Sequence, residues 1–254
     1  MKKIALILIL VVAITACKND DSDDQQQPEP GAVALNFINK VGNDILNLNT
    51  ATYTNSSGEA YEVSELKYII SNMVLIDSEG NEFVYPQEDS YFVVNEANPA
   101  SKGFSMNDIP PGTYTKIRFG IGVDQSNYPL NGVNNFIPTA EELGMLWSWS
   151  AGYKFLKFEG TFDSATQTDA PFILHIGSHG TNLDNYREVT LDLSGTNGIG
   201  VGSDAIPVVD IALDVAKIFD GVTTHALETK SDIQVDPVFA PILTDNLAAA
   251  FSTN

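Results

Sequence analysis

Glu188-Val189-Thr190-Leu191-Asp192-Leu193 decides the fold class. Val189, Leu191 and Leu193 fall on one side of an extended chain, and Glu188, Thr190 and Asp192 on the other. Strand side chains alternate between faces, so this six-residue run reads as a strand covered on one side and wet on the other. Val209, Ile211, Leu213 and Val215 repeat the alternation.

Moving outward, short β-branched and aromatic runs recur between Gly, Asn, Asp and Pro breaks. Ala32 to Ile38, Lys67 to Ile76, Glu82 to Tyr85, Tyr91 to Asn95, Tyr114 to Val123, Tyr153 to Phe162, Phe172 to Ile176 and Val208 to Leu213 join Glu188 to Leu193 as strands. Asp77-Ser78-Glu79-Gly80 predicts a hairpin turn, and Pro110-Pro111-Gly112 a strand stop. Glycines within Phe119 to Val123 predict a bulge or a close backbone approach. Helical signals are few. Thr139-Ala140-Glu141-Glu142 has capping-box spacing, and Leu243, Leu247 and Phe251 within Pro241 to Phe251 predict an amphipathic C-terminal helix. Without an internal repeat, the reading is an all-β fold: an antiparallel β-sandwich with short helical insertions and that terminal helix.

The N-terminus carries an address. Lys2 and Lys3 precede an apolar stretch, Ile4 to Ile14, too short to span a bilayer comfortably, and Thr15-Ala16 leads to Cys17, the only cysteine of the chain. This pattern resembles a bacterial lipoprotein signal, in which the cysteine becomes the lipid-bearing first residue. A lipidated Cys17 is no disulfide partner, thiolate ligand or nucleophile. Three segments follow: residues 1–16 as signal peptide, 17–31 as lipidated cysteine and acidic tether, and 32–254 as the β domain with a C-terminal extension. The tether, Lys18-Asn19-Asp20-Asp21-Ser22-Asp23-Asp24 and onward to Gly31, holds no apolar residue to bury. Its fourteen or so residues span on the order of 20 Å. The lysine and acidic cluster also resembles the surface-export signal of Bacteroidetes lipoproteins; a plain spacer is the alternative. Either way the expected location is the outer membrane, facing the periplasm or the cell surface.

The 254-residue chain has 13 Lys and Arg against 33 Asp and Glu, a net charge of -20. Such a surface repels phosphate backbones and excludes nucleic acid as a partner. No Asp-rich calcium loop with its central Gly and closing Glu is present, so the acidity reads as solubility. Catalytic templates are missing too: there is no nucleophile elbow, phosphate-cradling loop or His-Glu-x-x-His helix, and the expectation is a non-enzyme. Carboxylates such as Glu159 and Asp124 are too numerous for any pair to stand out.

Chemistry concentrates in the three histidines, His175, His179 and His225. On a continuing strand His175 and His179 would lie about 13 Å apart, beyond the reach of one ion. A turn at Gly177 would fold His179 back toward His175, and neutral imidazoles suit copper or zinc. The plainer reading is one histidine bonded to backbone and one exposed on a loop. Both tryptophans sit in Trp147-Ser148-Trp149, and residues two apart on an extended segment share a face. They pack a core or form a stacking platform for a flat ligand.

Several motifs occur in order: Tyr53-Thr54-Asn55 with Gly58-Glu59, Leu66 to Asn72, Gly112-Thr113-Tyr114, Phe119-Gly120-Ile121-Gly122-Val123-Asp124, Met145 to Phe155 with Glu159-Gly160, and Phe172 with His175-Ile176-Gly177. This ordered set resembles the MbnP-like domain, from about Ala32 to Leu193. The resemblance implies a mainly β, copper-binding protein of the cell envelope. It also implies a kynurenine ligand, made when a partner di-haem peroxidase oxidises a tryptophan. His175 matches the family's histidine, Trp147 or Trp149 the oxidisable position, and His179 is added by its spacing alone. The first 174 residues contain no histidine, and the N-terminal strand offers Asn36 and Asn39 instead, weak ligands for copper. Two functions remain open: copper held by His175 with His179, His225 or a modified tryptophan, or a metal-free surface or structural lipoprotein using the Trp147 and Trp149 segment.

Overall fold

The computed structural model describes residues 29–124, 136–148, 152–179, 182–193 and 197–253. The expected signal, Cys17 and Trp149 lie outside the described residues. Strands β1 (Gly31–Val41), β2 (Asp44–Ile45), β3 (Thr52–Thr54) and β4 (Ala60–Asp77) come first. β5 (Glu82–Val84), β6 (Phe92–Asn95), β7 (Gly103–Ile109) and β8 (Gly112–Ile121) lead to helix α1 (Ile137–Glu142). The β9 (Leu156–Asp163) and β10 (Ala170–Ile176) hairpin precedes β11 (Arg187–Asp192), β12 (Ile199–Val201), β13 (Val208–Asp214) and α2 (Ala216–Asp220). β14 (Asp232–Ile233), α3 (Phe239–Ala249) and β15 (Phe251–Thr253) complete the chain.

Two sheets form a sandwich. The smaller runs β15-β13-β1-β2 with β7 also on β1; the larger runs β11-β8-β4-β9-β10-β14, with β12 on β8 and with β3, β5 and β6 on β4. Most pairs are antiparallel, but β1 with β13 and β10 with β14 are parallel, which alternation alone does not reveal. β1 buries Val33, Leu35, Phe37 and Asn39 and leaves the intervening residues part-exposed, as one covered face requires. Between the sheets, Phe37 and Phe251 of the smaller meet Tyr68 and Phe119 of the larger, with ring centroids 5.3–6.2 Å apart in edge-on geometry. Burying each such ring contributes about 1.5–3 kcal/mol, and edge-on pairing adds about 0.5–1.5 kcal/mol.

Local signals behave as their chemistry demands. Asp77 accepts the backbone N–H groups of Glu79 and Asn81 at 2.8 and 2.9 Å, and Gly80 adopts φ 89°, closing the β4-β5 hairpin. A Cβ on Gly120 would fall 2.2 Å from the Tyr186 hydroxyl, and one on Gly122 2.2 Å from the Phe155 ring, so these glycines permit close approach. β4 shifts register between Ser71 and Val74, where Asn72 takes φ 49°, a conformation asparagine tolerates better than most residues.

Two helix readings change. Helix α1 begins at Ile137, with Pro138 in its first turn, so Thr139 lies inside the helix and caps nothing. Proline's fixed φ starts the helix ahead of the capping-box spacing. The last helix ends at Ala249, and Phe251 instead starts β15, paired with Leu213. Burial of that ring between the sheets outweighs continuation of the four-residue spacing. Among the described residues no helix is long and apolar enough to cross a membrane.

Candidate functional site

The site lies on the outer face of the larger sheet. Alternation turns Leu66 and Tyr68 of β4, Leu156 and Phe158 of β9, and Leu174 and Ile176 of β10 inward, all fully or almost fully buried. Glu65, Lys67, Lys157, Glu159 and His175 therefore face out. Register aligns them in rows: Lys67 opposite Lys157 opposite His175, and Glu65 opposite Glu159. Diagonal neighbours carry opposite charge. Glu65 bridges Lys67 at 2.6 Å and Lys157 at 2.8 Å, Lys157 stands 3.5 Å from Glu159, and Glu159 Oε1 meets His175 Nε2 at 2.6 Å.

A second, smaller core covers the neighbouring part of this face. Ile69, Tyr91, Val93, Val123, Phe136, Ala140, Met145, Tyr153 and Phe155 pack there. The covering segment is tied to the charged rows, since Lys67 Nζ donates to the Leu143 carbonyl and Lys154 Nζ to that of Gly144, both at 3.1 Å. It doubles back at Trp147, whose N–H donates to the Gly152 carbonyl, while the Lys154 N–H donates to that of Met145. Trp147 is buried, with the Lys154 ammonium 5.3 Å from its ring centroid.

Both nearby histidines lie close to that indole. The His175 ring lies 6.2 Å from Trp147 and the His179 ring 5.3 Å. β10 ends at Ile176, and Gly177 makes the arrangement possible. A Cβ there would sit 2.2 Å from the Tyr153 carbonyl oxygen and 3.2 Å from Trp147 Nε1. Beyond it, the loop is cinched. Buried Asn185 donates its side-chain amide to the Gly177 carbonyl and its backbone N–H to the Ser178 hydroxyl, which donates to Asp184. His179 N–H donates to the Leu183 carbonyl. With no side chain at Gly177, Trp147 fits close to both His175 and His179.

His225 is not brought there. Its Nε2 donates to the Lys230 carbonyl at 2.8 Å, and its neighbours Leu227 and Glu228 donate their N–H groups to buried Glu59. Ala60 pairs with Asp163 at the far end of β9, whereas His175 pairs with Lys157 near its start. The two histidines therefore stand at opposite ends of the hairpin. The asparagines of β1 are also engaged elsewhere: Asn36 donates to Asp210, and Asn39 links Tyr68 to Glu96.

Burial lowers the pKa of His175 below its ordinary value; the Glu159 bond and charge push it back only partly, and Lys154 and Lys157 lower it further. Burial lowers His179 too. Both rings are therefore neutral near pH 7, the form in which imidazole ligates metal. Lys154 is also lowered, first by burial and then by Lys157. Burial opposes ionisation of Glu65, but its bonds to Lys157 and Lys67 prevail and hold it at about 2.

Two neutral imidazoles beside one indole fit copper as a partial donor set. Among the described residues no group of three His, Cys, Asp or Glu converges as a metal cluster. Sequence reasoning named Glu159 only as one carboxylate among many and gave no role to Lys154 or to the Ser178-Asp184-Asn185 clasp. The period-two charges Glu65-Leu66-Lys67 and Lys157-Phe158-Glu159 were the available signal, but only pairing register places them beside His175.

Comparison with known proteins follows the same line. A search of curated proteins found no match. The solved structure of MbnP from Methylosinus trichosporium aligns with a TM-score of 0.51 and 15% identity, covering 83% of this chain and 82% of that chain. At that identity the likeness shows the fold. The MbnP family model matches residues 30–235, beyond the Leu193 limit of the motif resemblance and through β14. With most of its length matched in this way, the chain belongs to the MbnP family.

Proposed function

We propose that the protein is a cell-envelope lipoprotein, anchored by lipid on Cys17, that binds and handles copper beside Trp147. The observation that carries this reading is the closeness of His175 and His179 to one buried indole, with both rings neutral. Their role would be to hold copper; bound copper would supply a site for capture and transfer rather than a reaction centre. This reading assigns to Trp147 the oxidation to kynurenine, with a di-haem peroxidase as the partner the family resemblance implies. The acidic tether would hold the domain off the outer membrane, on the periplasmic or surface side.

Copper titration of the mature chain, under competition with a chromophoric chelator, tests this. One equivalent bound by wild type, lost in His175→Ala and weakened in His179→Ala, is expected, with His225→Ala retaining the metal. No uptake by protein isolated from its native host would end the copper reading. A second reading has its own observation: the Glu159 carboxylate already occupies His175 Nε2. On that reading the scaffold is metal-free, Trp147 is core, and copper leaves the melting temperature unchanged.

A further inference from the structure

We propose that Glu159 is a positioning residue for this site, holding the neutral His175 ring in its Nε2–H tautomer so that Nδ1 is the nitrogen left to bind a soft cation. The inference rests on the reading of His175 as a donor. Glu159 Oε1 lies 2.6 Å from Nε2. A carboxylate accepts and does not donate, so the shared hydrogen belongs to the imidazole, and a neutral ring then keeps its lone pair on Nδ1. Metal-binding histidines commonly rely on such an outer carboxylate to fix ring orientation and raise basicity.

The carboxylate is itself held. Lys157 stands 3.5 Å from it and 2.8 Å from Glu65, which meets Lys67 at 2.6 Å; Lys67 in turn donates to the Leu143 carbonyl of the covering segment. These groups span three paired strands, with His175 opposite Lys157 at the end of the cationic row. The ring thus takes its orientation from a charge ladder belonging to the sheet, and the ladder is tied to the segment that carries Trp147.

Long-range nitrogen–proton NMR of the metal-free protein at pH 7.5 reads the tautomer directly. Wild type is expected to show His175 Nε2 as the protonated, pyrrole-type nitrogen and Nδ1 as the pyridine-type one. Glu159→Ala should move both shifts toward averaged values and weaken copper binding about 10- to 100-fold. Glu159→Gln, which retains an acceptor oxygen, should keep much of the wild-type pattern. A merely structural Glu159 would lower the melting temperature without moving those nitrogens. Protonated Nδ1 in wild type, or unchanged His175 shifts in folded Glu159→Ala, overturns the proposal. Wild type that takes up no copper yet shows the Nε2–H ring overturns the copper reading and leaves the positioning of His175 standing.

Discussion

Gly177 is needed for the space it leaves. A methyl group there would meet the Tyr153 carbonyl oxygen at 2.2 Å, and backbone cannot rotate aside as a flexible side chain can. Gly177→Ala should therefore cost about 1–3 kcal/mol by overpacking and push the Trp147 hairpin outward. In a Trp149→Phe background, where Trp147 alone emits, a red shift of fluorescence checks this; an unchanged emission maximum would show that the hairpin does not lean on Gly177. Glu59 makes a contrasting case. The residue is 3% exposed, and its carboxylate accepts from the N–H groups of Leu227 and Glu228 and from the Asn55 amide, each at 2.7 Å. Glu59→Ala strands those donors and should lower stability by about 3 kcal/mol, measured as a fall in urea midpoint at constant slope.

Strand pairing turns single charges into a ladder, and its pH response follows. Glu65 titrates at about 2 in the fold against 4.5 in a free chain, so its stabilising share is complete above pH 4.5 and is lost as pH falls toward 2. Glu65→Gln should be less stable than wild type at pH 6, and the gap should narrow between pH 4.5 and 2 in urea titrations; a constant gap would mean the ladder contributes nothing through charge. The histidines act at higher pH. Burial depresses all three below 6.5, so unfolding takes up protons, and stability should begin to fall as pH drops through 6.5.

The sandwich as a whole depends on aromatic rings contributed by distant parts of the chain. Phe251, in the last strand, lies 5.3 Å from Phe119 and 5.8 Å from Tyr68 across the two sheets. Phe251→Ala should destabilise the entire domain by about 3–5 kcal/mol, with one cooperative transition. Differential scanning calorimetry checks it: a transition split in two would show that the sheets melt separately. The same packing supports the small outer core, whose Ile69 and Val93 belong to β4 and β6 of the larger sheet.

Period-two alternation in Glu188 to Leu193 and in Val209 to Val215 was enough to read strands, inward faces and an all-β class, because side-chain direction in a strand depends only on local geometry. Turn chemistry at Asp77 to Gly80 and the close approach at Gly120 and Gly122 were equally legible. Register, parallel pairing and the fate of Phe251 were not, since each depends on which distant strand lies alongside. The histidines divide in the same way. Composition singled out His175, His179 and His225, but only folding set two of them close to Trp147, sent the third to the opposite end of the hairpin and put Glu159 against His175. Local backbone stereochemistry is written in neighbouring residues; the meeting of side chains from separate strands is decided by burial of the whole core.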